Sequence, residues 1–137
     1  MSRSDRGSIT LWMLGLSVLI LLFGGLALDY WRGLALQREL AAVADSAALA
    51  AASGIDEEVY RASGELVLDA ARSQGLAAAS VAWQDAAVVD LMVEVEGDSV
   101  EVTVTGEVEL GLLGVFVDQS EPLLVRASAR AIPVLVP

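Results

Sequence analysis

Apolar residues form one unbroken block early in the chain, then recur at helical spacing, and in the second half alternate with polar ones. Residues 9–28 contain no charged side chain. As a helix, a run of that length rises about 30 Å, the thickness of bilayer hydrocarbon, so it predicts a transmembrane helix. Beyond it, residues 29–52 carry a stripe of Leu36, Leu40, Val43, Ala47 and Ala51, with Arg38, Glu39, Asp45 and Ser46 on the opposite side. No proline or turn cluster intervenes, so the helix is expected to continue out of the membrane. Ser53 and Gly54 end it, and Asp56 can cap a second amphipathic helix. That helix is expected over residues 56–74, on a stripe of Val59, Ala62, Leu66 and Ala70, with Gly75 in the left-handed position after its end. Glu57 and Arg61 form a favourable pair four residues apart.

A short strand is expected near residues 80–83, after which the period is two. Leu91, Val93 and Val95 alternate with Met92, Glu94 and Glu96, and Val100, Val102 and Val104 alternate with Glu101, Thr103 and Thr105. Gly97 and Asp98 between them predict a two-residue turn with glycine first. The resulting hairpin puts Val95 opposite Val100, Val93 opposite Val102 and Leu91 opposite Val104. It also sets Glu94 against Glu101, a like-charge pair that needs a cation nearby. Residues 123–132 supply one, because Arg126 and Arg130 alternate with Val125, Ala127, Ala129 and Ala131. If this segment joins the sheet, its arginines project on the acidic face. The apolar segment 110–117 reads as a buried turn, a short helix, or an exposed patch covered by another subunit. The fold class is α+β: a long N-terminal transmembrane helix continuing outside the membrane, a second amphipathic helix, and a small antiparallel sheet of three to four strands.

Composition narrows the chemistry. The chain has no Cys and no His, which removes thiol nucleophiles, histidine triads, disulfides and the usual zinc ligands. No cofactor and no metal site is expected. The acidic trio Asp56, Glu57 and Glu58 lacks the ligand spacing and glycine of a calcium loop and reads as a charged helix N-terminus. An enzyme built on Glu94 and Glu101 would need them in a cleft, and they fall on the hairpin face opposite its apolar one, which is expected to be exposed. Net charge is −11, and from Asp29 onward six arginines face eighteen carboxylates, Arg3, Arg6 and Asp5 being the charges ahead of the apolar run. Such a surface repels nucleic acid and anionic lipid headgroups, so neither is expected as a partner of this part.

The expected organisation is a cytoplasmic leader over 1–8, the transmembrane helix over 9–28, its extension over 29–52, and a small extracytoplasmic α+β domain over 53–137. Arg3 and Arg6 before the span are balanced by Arg32 and Arg38 after it, and the α-amino group tips the count toward a cytoplasmic N-terminus. A cleaved secretory signal is the competing reading; signal cores usually run to about 7–15 residues. Tyr30 and Trp31 at the span's exit, and Trp12 near its entrance, suit the headgroup level. Asp29 is a candidate group at the membrane edge, either for a partner's cation or for Arg32 three residues on. Ala44, Ala48 and Ala52, with Ala47 and Ala51, form small-residue rows on which another backbone can approach closely. They pack either on the chain's own domain or against neighbouring subunits, which makes self-association through this helix a candidate.

Arg6-Gly7 leading into the apolar span, Asp29 at its exit, Leu36-Gln37 and then residues 44–50 (ADSAALA) resemble the TadE/TadG-like pilus-assembly proteins of bacterial tight-adherence (Flp) systems. The closing strand, with its alternating small residues, is similar too. The resemblance implies a pilin-like fold and a non-enzymatic, minor-pilin-like subunit in the inner membrane. Its implied partners are the lipid bilayer and other pilus or secretion-system membrane subunits. One departure stands out. Prepilins cut after a leader glycine carry Glu five residues beyond it, and here the candidate cut falls between Gly7 and Ser8 with Trp12 at that place. The expectation is therefore an unprocessed leader.

Overall fold

The computed structural model describes residues 3–116 and 122–134. Its first element, α1, is a continuous helix over Arg3–Ala52. Three short helices follow it, α2 (Glu57–Ser63), α3 (Ala70–Ala82) and α4 (Leu113–Phe116), together with strands β1 (Val88–Glu96), β2 (Ser99–Val108) and β3 (Leu123–Ala131). The expected α+β class is present, with one long apolar N-terminal helix and one antiparallel sheet of order β1-β2-β3.

The two halves of α1 meet different surroundings. Over the uncharged run its large side chains are exposed, and the helix is long and apolar enough to cross a membrane. From Leu40 onward its apolar stripe is buried. This half lies across β2, β3 and α3, so one face of the sheet is covered by α1, with α3 beside β1. Leu40, Val100, Val102 and Val104 are the largest fully buried apolar side chains, and Ala44, Ala47, Ala48 and Ala51 complete the same core. Removing a side chain of that size from water contributes about 1.5–3 kcal/mol each. The alanines do something different: they let the helix axis approach the sheet closely. Gly106 serves the same approach, because a Cβ there would lie 2.9 Å from the Ala87 carbonyl and 3.0 Å from Leu40.

The hairpin register matches the alternation residue by residue: Val95 pairs with Val100, Val93 with Val102, Leu91 with Val104 and Glu94 with Glu101. Gly97 takes the turn with φ of 62°, which only glycine adopts without strain. On the other side of β2, Ala131, Ala129 and Ala127 stand opposite Val100, Val102 and Val104. Arg130 stands opposite Glu101, with Nη2 3.1 Å from Glu101 Oε2 and 3.8 Å from Glu96 Oε2. The cation that the Glu94–Glu101 pair calls for therefore comes from the third strand.

The region between α1 and the sheet differs from the expected single helix over 56–74. Asp56 caps α2 through Oδ1, which accepts from Glu58 N–H at 2.9 Å and Val59 N–H at 3.1 Å. The helix then stops at Gly64, whose φ of 74° is left-handed. Asp69 starts a second helix in the same manner, accepting from Ala71 and Arg72 N–H groups. Two aspartate caps and one left-handed glycine thus divide what a periodic stripe joins. Ala62 and Ala70, assigned to that stripe, are exposed, while Leu68 is buried. Gly75 is not a terminus; it sits inside α3, which also absorbs the strand expected at 80–83. The α2 excursion is pinched at its base by Asp56 N–H to Val67 O and Asp69 N–H to Gly54 O, each 2.8 Å.

Candidate functional site at the helix exit

Where α1 leaves its apolar run, the chain folds back on it. Asp29 is the first charged residue after that run, and its side chain is 2% exposed. Its Oδ1 accepts the Gly111 N–H at 2.8 Å and lies 3.7 Å from Arg32 Nη1. The ion pair three residues apart is present, but the shorter contact reaches across 82 residues of sequence. Arg32 keeps most of its side chain in solvent, so the carboxylate is shielded on one side and neutralised on the other. A buried carboxylate is tolerated only with such partners, since desolvation of an isolated one is costly.

Glycine leaves room for it. A Cβ at Gly111 would lie 2.9 Å from both Asp29 Oδ1 and Arg32 Nη1. The next residue, Leu112, seats on Gly25 of α1, its Cδ2 2.8 Å from where a Cβ would stand. Gly111 and Leu112 thus track the helix backwards, from Asp29 into the uncharged run. The short helix α4 follows, with Val115 N–H bonded to the Leu112 carbonyl at 3.2 Å. Residues 113–116 of the expected segment 110–117 form a short helix, and Val115 on it is exposed; Val117 lies outside the described residues. Beside this junction lies an open apolar groove of about 690 Å³, with Phe23, Leu26, Tyr30 and Leu34 on α1 facing Leu110 and Leu123.

The other residues singled out from sequence fall elsewhere. Ala44, Ala47, Ala48, Ala51 and Ala52 are buried in the chain's own core. That surface is occupied by α3 and the sheet within the chain, so it offers no free face to a neighbouring helix. Gly7 and Ser8 lie within α1. Trp12, Tyr30 and Trp31 are exposed. Glu57, from the acidic trio, pairs with Arg61 at 2.8 Å and also with Arg72 at 3.1 Å. Among the described residues no group of three or more His, Cys, Asp or Glu side chains is gathered as a metal ion would need.

Sequence reasoning missed Gly111, Leu112, Gly25 and Arg72. Gly111 and Leu112 share a signal, an apolar glycine-containing segment following a strand, but nothing in periodicity says that the helix turn it meets is the one at Gly25.

The uncharged run, its exit and the core-facing alanine rows lie on one stretch of chain. Residues 7–54 match the family model described as "Putative Flp pilus-assembly TadE/G-like". The match covers α1 almost entirely and stops where the α2 excursion begins. It takes in Asp29, Arg32 and the alanines, and leaves Gly111, α4 and the sheet outside. Neither a curated protein nor a solved structure matches the chain.

Proposed function

We propose that this chain is a non-enzymatic, single-pass membrane subunit, minor-pilin-like, that serves the assembly of a Tad/Flp-type pilus or a related secretion system. The observation that carries the reading is the TadE/G-like match over residues 7–54, which falls on a helix whose first half is bare and apolar and whose second half is the spine of a folded domain. Such a helix joins membrane and domain rigidly, as an assembly subunit requires. In this reading residues 1–8 are cytoplasmic, 9–28 cross the inner membrane and 53–137 lie outside it. Contacts with other pilus or secretion-system subunits, and self-association, use the exposed faces, since the alanine rows are taken up internally.

The chain is read as keeping its leader. A cut before Ser8 would expose an ammonium at the membrane edge, while the nearest carboxylate that follows, Asp29, is already engaged by Gly111 and Arg32. The alternative, an acidic binding domain released after signal cleavage, is less well supported, because Leu112 packs on Gly25 within the apolar run. Three measurements on the protein from its native host test the proposal. It should resist carbonate extraction from membranes, its intact mass should begin at Met1 or Ser2, and a reporter fused after Pro137 should be active only outside the cytoplasm. Recovery of a soluble exported form starting near Asp29 would favour the alternative. A mass starting at Ser8, with the protein abundant in sheared filaments, would make it a processed filament subunit.

A further inference from the structure

We propose that the β2–β3 connection, residues 110–116, is a second membrane contact, seated in the headgroup–acyl boundary beside the span. This rests on reading residues 9–28 as the bilayer-crossing part of α1. Depth is the first argument. Gly111 is bonded to Asp29, and Leu112 sits on Gly25. Four residues of helix rise about 6 Å, so Leu112 lies that much deeper along the axis than the carboxylate. If the uncharged run is in hydrocarbon, Leu112 is at its edge.

Chemistry is the second argument. The segment has no charged residue between Glu109 and Asp118. Val115 is 79% exposed, and Leu123 and Leu124, at the start of β3, are also exposed. The apolar groove that Leu110 and Leu123 line is also lined by Phe23 and Leu26 of the uncharged run, so the uncovered apolar surface at the foot of the domain continues onto the span. In water each side chain would forfeit the free energy of burial; at the acyl boundary it recovers it.

Backbone bonding is the third argument, and it limits the depth. Gly111 N–H is taken by Asp29 and Val115 N–H by Leu112 O, but a single helical turn leaves other amides to be hydrated. A shallow position supplies water to those groups and hydrocarbon to the side chains. The domain then rests on the bilayer at two points, with its tilt fixed relative to the membrane plane.

The chain has no cysteine, so single-cysteine variants of the full protein report one position each. Leu19→Cys, Val115→Cys and Asp98→Cys, labelled with an environment-sensitive fluorophore, would be reconstituted in phosphatidylcholine vesicles with or without brominated acyl chains. The expected result is acyl-bromine quenching of the labels at 19 and 115, with iodide quenching of both several-fold weaker than at 98. If the label at 115 is as open to iodide as that at 98 while 19 stays quenched by lipid, the second contact is overturned and the anchor stands. A label at 19 open to iodide overturns the anchor and this inference with it. A label at 115 shielded from both quenchers means that protein covers the segment, and also overturns the lipid contact. Val115 is exposed, so these substitutions leave the core untouched, which circular dichroism of each variant checks.

Discussion

Ser73 is the polar residue that the core handles least well. Its side chain is fully buried beneath Gly54, and its Oγ has no hydrogen-bond partner among the described residues. Leaving a buried hydroxyl unsatisfied costs about 1–3 kcal/mol, so its removal should be free or beneficial. Ser73→Ala is therefore expected to hold or raise the midpoint of thermal unfolding followed by circular dichroism; a clear fall would mean that the hydroxyl is satisfied in solution. Asp29 is the opposite case, a buried carboxylate whose Oδ1 accepts the Gly111 N–H and lies beside Arg32. Gly111→Ala should disturb it, because the new methyl meets Asp29 Oδ1 and Arg32 Nη1 at 2.9 Å. The expected outcome is faster amide exchange of the 110–116 segment with the sheet amides unchanged. Protection equal to wild type would show that the junction gives way at no cost.

Among the elements, the C-terminal half of α1 is the most constrained. Its alanines are buried against α3 and the sheet, so volume added there has nowhere to go. Ala48→Leu is expected to destabilise the domain by about 1–3 kcal/mol. For a domain of this size that lowers the midpoint by roughly 4–8 °C per kcal/mol. Unchanged stability with loss of partner co-purification would instead place this row at an intermolecular contact. The Arg130–Glu101 pair is another matter. Both side chains are substantially exposed, and such pairs add little stability. Its effect is on register: shifting β3 by one residue would carry its small residues to the acidic face and its arginines into the core.

For the molecule as a whole, the boundary between exposed and buried apolar surface runs through α1 between its two halves. The core begins at Leu40. A chain starting at Asp29 should therefore remain folded, with a cooperative thermal transition, while one starting after Ala52 should not fold, having lost the spine on which the sheet packs. Cooperative unfolding of the shorter chain would show that the sheet and α3 suffice. Partial apolar exposure at Leu112 and Val115 should still make the Asp29 chain prone to associate in water unless detergent covers that surface.

What the sequence by itself determined is what depends on period and on type. Twenty uncharged positions predict a helix long enough to span hydrocarbon, alternation predicts the hairpin and its register, and the arginines of the third strand predict their side of the sheet. These follow from local geometry, since residues two, three or four apart share a face whatever the rest of the chain does. The stripe over 56–74 shows the limit of that reasoning. Val59, Ala62, Leu66 and Ala70 have helical spacing, yet Gly64 and the Asp69 cap break the run, and a backbone bridge pairs Ile55 with Leu68. Only tertiary structure decided that the alanine rows face inward, because small residues suit a sheet and a neighbouring helix equally well. Only it joined Gly111 to Asp29 and Leu112 to Gly25, since contacts across more than eighty residues arise from how the sheet docks on α1. Periodicity names the face of an element; docking chooses what that face meets.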